Sequence, residues 1–277
     1  MYYKLINDNK KHNFAFIITI DDLIKYLNNF VKKDKVLMLD FCLSMIQPTV
    51  FPDISEFINI KHLDFSANHF TKLSDFSKFK KLKSLVCNGI PIKELPDLSK
   101  CINLIKLQCD YNKLKELPDL SNCVKLKKIN CKYNKLVKID NLSNLNKLQL
   151  LHINNNYLTE LPNLSDLTNL EVLNCAHNYL TELPNLSDLT NLEVLNISHN
   201  NLTKLPDLSG LNNLETIFCK NNKLTTLPIS ILKCKNLDSY KKFKNYKHLY
   251  ELNYLLNYTI KKYYYIYIIE YYNKIYL

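Results

Sequence analysis

Residues Asn156–Asn174 read NYLTELPNLSDLTNLEVLN, and residues Asn178–Asn196 read the same nineteen letters 22 positions later. A chain that repeats itself at such a period makes one small unit many times, and units this short bury a common core only by stacking. The frame runs in both directions as L-x-x-L-x-C/I-x-x-N-x-L-x-x-L-P-x-L-S-x-L-x-N. Units start at Ile60, Leu82, Leu104, Leu126, Leu148, Leu170, Leu192 and Leu214, the last with one extra residue near Ile229. An imperfect unit precedes them from Val36 or Met38 to Asn59, and a degenerate one begins at Leu237.

Each L-x-x-L-x-C stretch alternates between inward and outward positions, as a short strand does. Equivalent strands 22 residues apart lie parallel, and the rest of each unit is long enough for the crossover that parallel strands need. Pro96, Pro118, Pro162, Pro184, Pro206 and Pro228 sit in that return segment and disfavour a helix there. Ser99, Ser121, Ser165, Ser187 and Ser209 stand where a hydroxyl could cap a turn.

The pattern resembles the leucine-rich-repeat family, in its 22-residue class, over about Val36 to Lys247. The resemblance implies an α/β-type solenoid. This is a right-handed superhelix with a parallel β-sheet on its concave face, extended or 3-10 segments on its convex face and helical caps at the ends. It also implies that the Asn ladder (Asn68, Asn112, Asn134, Asn156, Asn178, Asn200 and Asn222) bonds the backbone of the turn after each strand. Ile90 replaces Asn in the second unit, so a local irregularity is expected there.

The expected organisation is an N-terminal cap over 1–35, a solenoid over 36–247 and a Tyr-rich cap or tail over 248–277. In the cap, a strand at Phe14–Ile20 precedes a helix from Asp21 or Asp22. At the other end Tyr246, Tyr250, Tyr254 and Tyr258 share one helix face.

Composition narrows the function. There are only two glycines, which argues against a glycine-rich phosphate loop. The nine cysteines are odd in number, and Cys87, Cys109, Cys131, Cys175 and Cys219 recur with the repeat. That position alternates with Ile153 and Ile197, so it reads as a small core filler and not as a metal knuckle. No apolar run exceeds seven residues where a membrane span needs roughly 20, and no signal peptide is evident. The reading is an intracellular, cytoplasmic protein.

The formal net charge is +11, but residues 36–232 hold 21 lysines against 19 acidic residues, whereas residues 233–277 hold nine against three. The basic C-terminal end offers a second reading, binding to an anionic surface or nucleic acid. All the basic residues are lysine, and without the arginine fork base and phosphate recognition is weaker.

The family resemblance implies a partner protein on the concave face. Its outward positions form four rows, which nominate Lys106, Lys128, Leu150, Val172 and Val194 in the first and Gln108, Asn130, His152, Asn174, Asn196 and Phe218 in the second. The third contributes Asp110, Lys132 and Asn154, and the fourth Tyr111, Tyr133, His177 and His199. Leu150, Val172 and Val194 make an aliphatic row beside stacked tyrosines, a composition suited to partner contact. His152, His177 and His199 lie near one another without a carboxylate or thiolate, so no metal and no cofactor is expected.

No catalytic grouping stands out, and the chain reads as a non-catalytic scaffold, a monomer without a small-molecule substrate. Some bacterial leucine-rich-repeat effectors carry a ubiquitin-ligase domain with a catalytic cysteine. Here about 40 residues follow the last clear unit, with no cysteine after Cys234.

Overall fold

The computed structural model describes the backbone of residues 3–7 and 10–14, residues 25, 27–30, 32–40 and 51–225 except 141, and residues 228 and 230. From Val36 onward the repeat dictates the architecture. β3 spans Val36–Asp40, and eight three-residue strands follow it: β4 (His62–Asp64), β5 (Ser84–Val86), β6 (Lys106–Gln108), β7 (Lys128–Asn130), β8 (Leu150–His152), β9 (Val172–Asn174), β10 (Val194–Asn196) and β11 (Thr216–Phe218). All nine are parallel, each pairs with its sequence neighbours, and from β4 onward partners are separated by one repeat, as in Leu151 opposite Leu173. The result is a solenoid of about eight turns with the sheet on one face.

The central residue of each three-residue strand points inward, as Leu39 does in β3, together with the apolar residues of the return segment. In the third unit Leu104, Leu107, Cys109, Leu114, Leu117, Leu120 and Cys123 are all buried. The return is built from turns closed by i to i+3 bonds, such as the Cys101 amide to the Leu98 carbonyl at 2.8 Å and the Leu104 amide to the Cys101 carbonyl at 2.9 Å. These turns are capped two residues ahead of the serines. Asp97 Oδ1 accepts from the Ser99 amide at 2.7 Å, and Asn163, Asn185 and Asp207 do the same for Ser165, Ser187 and Ser209. The serine hydroxyl is therefore not the cap. An Asp or Asn makes an Asx-turn, whose geometry suits a carbonyl or carboxylate oxygen two residues back. Bonds from the Ser209 hydroxyl first, then from the Ser230 hydroxyl and the Ser209 amide, hold the Asp207 carboxyl down to about 2.

The Asn ladder behaves as the resemblance implies. The Asn178 side-chain amide donates to the carbonyls of Cys175 and, one unit back, Ile153, each at 3.0 Å, while its Oδ1 accepts from the Leu158 amide at 3.0 Å. It thus satisfies backbone groups that the turn strands in the core. At Ile90 the sheet continues in register, but Asn112 Oδ1 accepts from the Ile90 amide at 3.2 Å, where elsewhere it serves the amide two residues further on. The irregularity is a shifted bond, not a broken strand.

At the N-terminal edge two more strands extend the sheet. β1 (Tyr3–Asn7) runs antiparallel to β3, and β2 (Lys10–Phe14) antiparallel to β1. The strand expected at Phe14–Ile20 meets the described residues only at Phe14, the end of β2. Of the expected cap helix, Lys25 and Leu27–Asn29 are helical, and Leu27 is buried in the core. The rest of it, the ninth unit and the tyrosines at 246, 250, 254 and 258 lie outside the described residues. No helix among the described residues is long and apolar enough to cross a membrane.

Candidate functional site

Outward residues of the strands form a face whose depth varies from row to row. The first row, at the strand start, holds Lys106, Leu150, Val172 and Val194 half-buried, with Lys128 exposed. The second holds Gln108, Asn130, His152, Asn174 and Asn196, also half-buried, ending on the exposed Phe218. Leu150, Val172 and Val194 are thus a partly covered apolar row.

The third row differs from its expected outward placement. Asp110, Asn154, Ala176 and Ser198 are buried, at 7%, 9%, 4% and 3% exposure, and only Lys132 and Lys220 rise from it. The reason lies in the next residue. Tyr111, Tyr133, Asn155, His177, His199 and Asn221 all have φ between 53 and 58°, and Gly89 has 64° at the equivalent place. A left-handed residue there swings the chain away so that the following Asn turns into the core. Such a conformation costs a non-glycine residue about 1–2 kcal/mol. Amide bonds across the turns hold it, as from His177 to the Ser198 carbonyl at 2.9 Å and from His199 to the Lys220 carbonyl at 2.8 Å.

The left-handed row raises a wall of stacked side chains along the strand-exit edge. The Tyr111 and Tyr133 rings lie 4.4 Å apart at 10°. Those of His177 and His199 lie 4.0 Å apart at 12°, and the Asn221 amide nitrogen is 3.0 Å from a His199 ring nitrogen. Burial first, then the charges of His177 and Lys220, push His199 below the usual histidine range. Parallel rings do not converge their nitrogens on a shared point. His152 stands a row away from this pair. Among the described residues no group of three His, Cys, Asp or Glu is placed to hold a metal.

Between this wall and the second row lies a depression of about 350 Å³ lined by Tyr133, Asn154, Asn155, Asn174, Ala176, His177, Asn196, Ser198, His199, Phe218 and Lys220. It brings together seven of the nominated residues, namely Tyr133, Asn154, Asn174, His177, Asn196, His199 and Phe218. Lys106, Gln108, Lys128, Asn130, Leu150, His152, Val172 and Val194 lie outside it on the same face. Asn155, Ala176, Ser198 and Lys220 were not nominated. Their signal was the frame itself, since they occupy the third and fourth rows.

Two buried acceptors on this face have no hydrogen-bond partner, Asn154 Oδ1 in the floor of the depression and Asp110 Oδ1 two strands away. Burial raises the Asp110 carboxyl, opposed by its own backbone amide, Lys132 and His152. Lys132 also places its ammonium 5.7 Å from the Tyr111 ring centre. The cysteines beneath the face carry no chemistry to it. Cys87, Cys109, Cys131, Cys175 and Cys219 are buried and free, and burial raises each thiol, Cys131, Cys175 and Cys219 to about 12.

Residues 146–189 and 190–233 each match a family model described as Leucine Rich repeats (2 copies). No curated protein sequence matches the chain. Among solved structures, the functional domain of InlJ from Listeria monocytogenes, which includes a cysteine ladder, is 26% identical. It has a TM-score of 0.60, over 72% of this chain and 48% of that one. YopM, a leucine-rich effector protein from Yersinia pestis, is 27% identical with a TM-score of 0.52, over 68% of this chain and 62% of that one. The LRR ectodomain of the plant membrane receptor kinase GASSHO1/SCHENGEN3 from Arabidopsis thaliana, solved in complex with CASPARIAN STRIP INTEGRITY FACTOR 2, shares the fold. It is 20% identical with a TM-score of 0.62, over 77% of this chain and 31% of that one. The chain thus spans less than two thirds of the length of each.

Proposed function

Because this chain is a leucine-rich-repeat protein, of a fold whose members are typically protein-interaction modules, we propose that it binds a partner protein through the concave sheet face, centred on the depression beside β8–β11. The observation that carries this reading is Asn154. Its Oδ1 is buried in the floor of an open depression and accepts no bond. A buried acceptor left unmet costs about 1–3 kcal/mol, which a donor on a docked chain recovers once the Asn154 amide turns toward the depression that the residue lines. The surroundings suit such a guest. Phe218 and the half-buried Leu150, Val172 and Val194 offer apolar contact, the Tyr and His stacks a rigid aromatic rim, and Asn174 and Asn196 adaptable polar groups. The reading is of a binding scaffold, with no reaction assigned to it.

The test is a quantitative capture of partners by the full chain and by two variants. Asn174→Arg with Asn196→Arg crowds the depression from two adjacent rungs, and Lys147→Glu on the return side serves as control. Partners lost from the first and kept by the second support the reading. A set of partners unchanged by the crowding variant overturns it.

A further inference from the structure

The charge of the solenoid is polarised along its length, and the near-zero total conceals this. Residues 51–147 carry 18 lysines against ten carboxylates, an excess of eight positive charges; residues 148–225 carry three lysines against eight, an excess of five negative. The polarity is written most plainly at the strand-entry edge, the position just before each strand. Lys61, Lys83 and Lys127 hold it before β4, β5 and β7; Glu171, Glu193 and Glu215 hold it before β9, β10 and β11.

Backbone bonds lock this row in register, from the Lys83 amide to the Lys61 carbonyl at 2.8 Å and from the Glu193 amide to the Glu171 carbonyl at 2.8 Å. None of the six side chains is in an ion pair among the described residues, although Glu171 accepts from the Gln149 amide at 2.8 Å. His62, at the basic end, is held below the usual histidine range by burial and then by Lys83, Lys61 and Lys106, as a positive local field requires. Lys83 and Glu193 are five rungs apart, about 24 Å at the ordinary strand spacing. That is roughly three screening lengths at physiological salt, so the two ends do not neutralise each other within one chain.

The row is complementary to its own reverse. A two-fold axis midway between the Lys127 and Gln149 rungs sets Lys61 opposite Glu215 of a second copy, Lys83 opposite Glu193 and Lys127 opposite Gln149. The remaining rung, Ile105 opposite Glu171, has Lys106 beside it. An interface around a two-fold axis needs this self-complementarity, with each contact made twice. We propose that two copies of this chain associate antiparallel along the strand-entry edge, as a salt-sensitive dimer that leaves the depression at the strand-exit edge open. The inference departs from the expectation of a monomer and stands independently of the partner reading.

Exposed ion pairs are individually weak and screened by salt, so the dimer is to be sought by sedimentation of the full chain at ionic strengths of about 0.01 M and about 1 M. The expected result is a dimer at low salt whose dissociation constant rises roughly tenfold or more at high salt. Lys61→Glu with Lys83→Glu gives a monomer, as does Glu193→Lys with Glu215→Lys, each with an unchanged circular dichroism spectrum. Mixing the two charge-reversed variants restores a dimer, because every reversed rung again meets its opposite. A monomer throughout at low salt overturns the proposal, as does a dimer indifferent to salt or to the substitutions. The charge variants leave capture by the depression intact, so failure here and failure of the partner reading are separate results.

Discussion

Residues 51–79 fill the core with phenylalanine, whereas residues 148–214 fill the same positions with leucine, isoleucine and cysteine. Phe65 occupies the place in its unit that Cys175 occupies two thirds of the way along the solenoid, and both are fully buried. Phe51 lies 4.8 Å from Phe65 and 5.0 Å from Phe70 in edge-on contacts, and Phe76 lies 5.3 Å from Phe79. In the tandem units no aromatic ring enters the core, and in the unit just ahead of them the Cys131 thiol reaches the His152 carbonyl at 3.6 Å. The strands are nonetheless in one register throughout. The frame is therefore set by the backbone ladder and the Asn side chains. The core tolerates different fillings, provided each neighbourhood is filled consistently.

The largest effect should come from breaking that consistency. Phe65→Cys installs the tandem residue among rings shaped for an aromatic partner. It leaves a cavity costing about 3–4 kcal/mol. For a chain of this size the melting temperature falls on the order of 10 °C. A denaturant titration that found Phe65→Cys nearly neutral would mean that the two regions pack interchangeably after all.

What was legible in the sequence follows the same division. The period fixes the parallel strands from β4 onward and their register, because both depend on spacing alone and spacing is visible in letters, while the bonding of the Asn ladder came with the family resemblance. The depth of the third row was not visible. Asp110, Asn154, Ala176 and Ser198 are buried because the residue after them turns left-handed, a backbone event signalled only by the run of Tyr, Asn and His at that place with Gly89 among them. The Asx-turns were missed because Asp97 and Ser99 both look like caps, and geometry selects the oxygen two residues back. The polarity of the charge was missed because summing over the whole solenoid cancels it.

A second, smaller contrast separates the two fillings by pH. Burial lifts the Cys175 thiol to about 12, while an unfolded thiol ionises near ~8.5. Because the folded value is raised, the contribution is fully present below the unfolded value and is lost as pH climbs toward the folded one, at about 1.4 kcal/mol per pH unit for each thiol. Cys175→Ile copies the natural choice at Ile153 and Ile197 and should change stability near neutrality by less than about 1.5 kcal/mol. Raised to pH ~10, the variant should gain roughly 2 kcal/mol on the parent. Equal alkaline slopes in urea melts would show that this thiol ionises in the folded state as freely as in the unfolded one.

The smallest effect concerns the wall. In the first units the left-handed position holds Ala67 and Gly89, while in the tandem units it holds His177 and His199. His177→Gly removes the penalty of a side chain at φ 53° but also removes the ring stacked on His199 at 4.0 Å. The stack is exposed at His177, so its own contribution is modest, and the backbone term should win by about 0.5–1 kcal/mol. A higher urea midpoint for His177→Gly, together with weaker partner capture, would show that strain at this rung is kept for the sake of the rim. A lower midpoint would reverse the balance and assign the histidine pair to stability, leaving Tyr133, Asn154 and Phe218 as the groups that a docked chain meets.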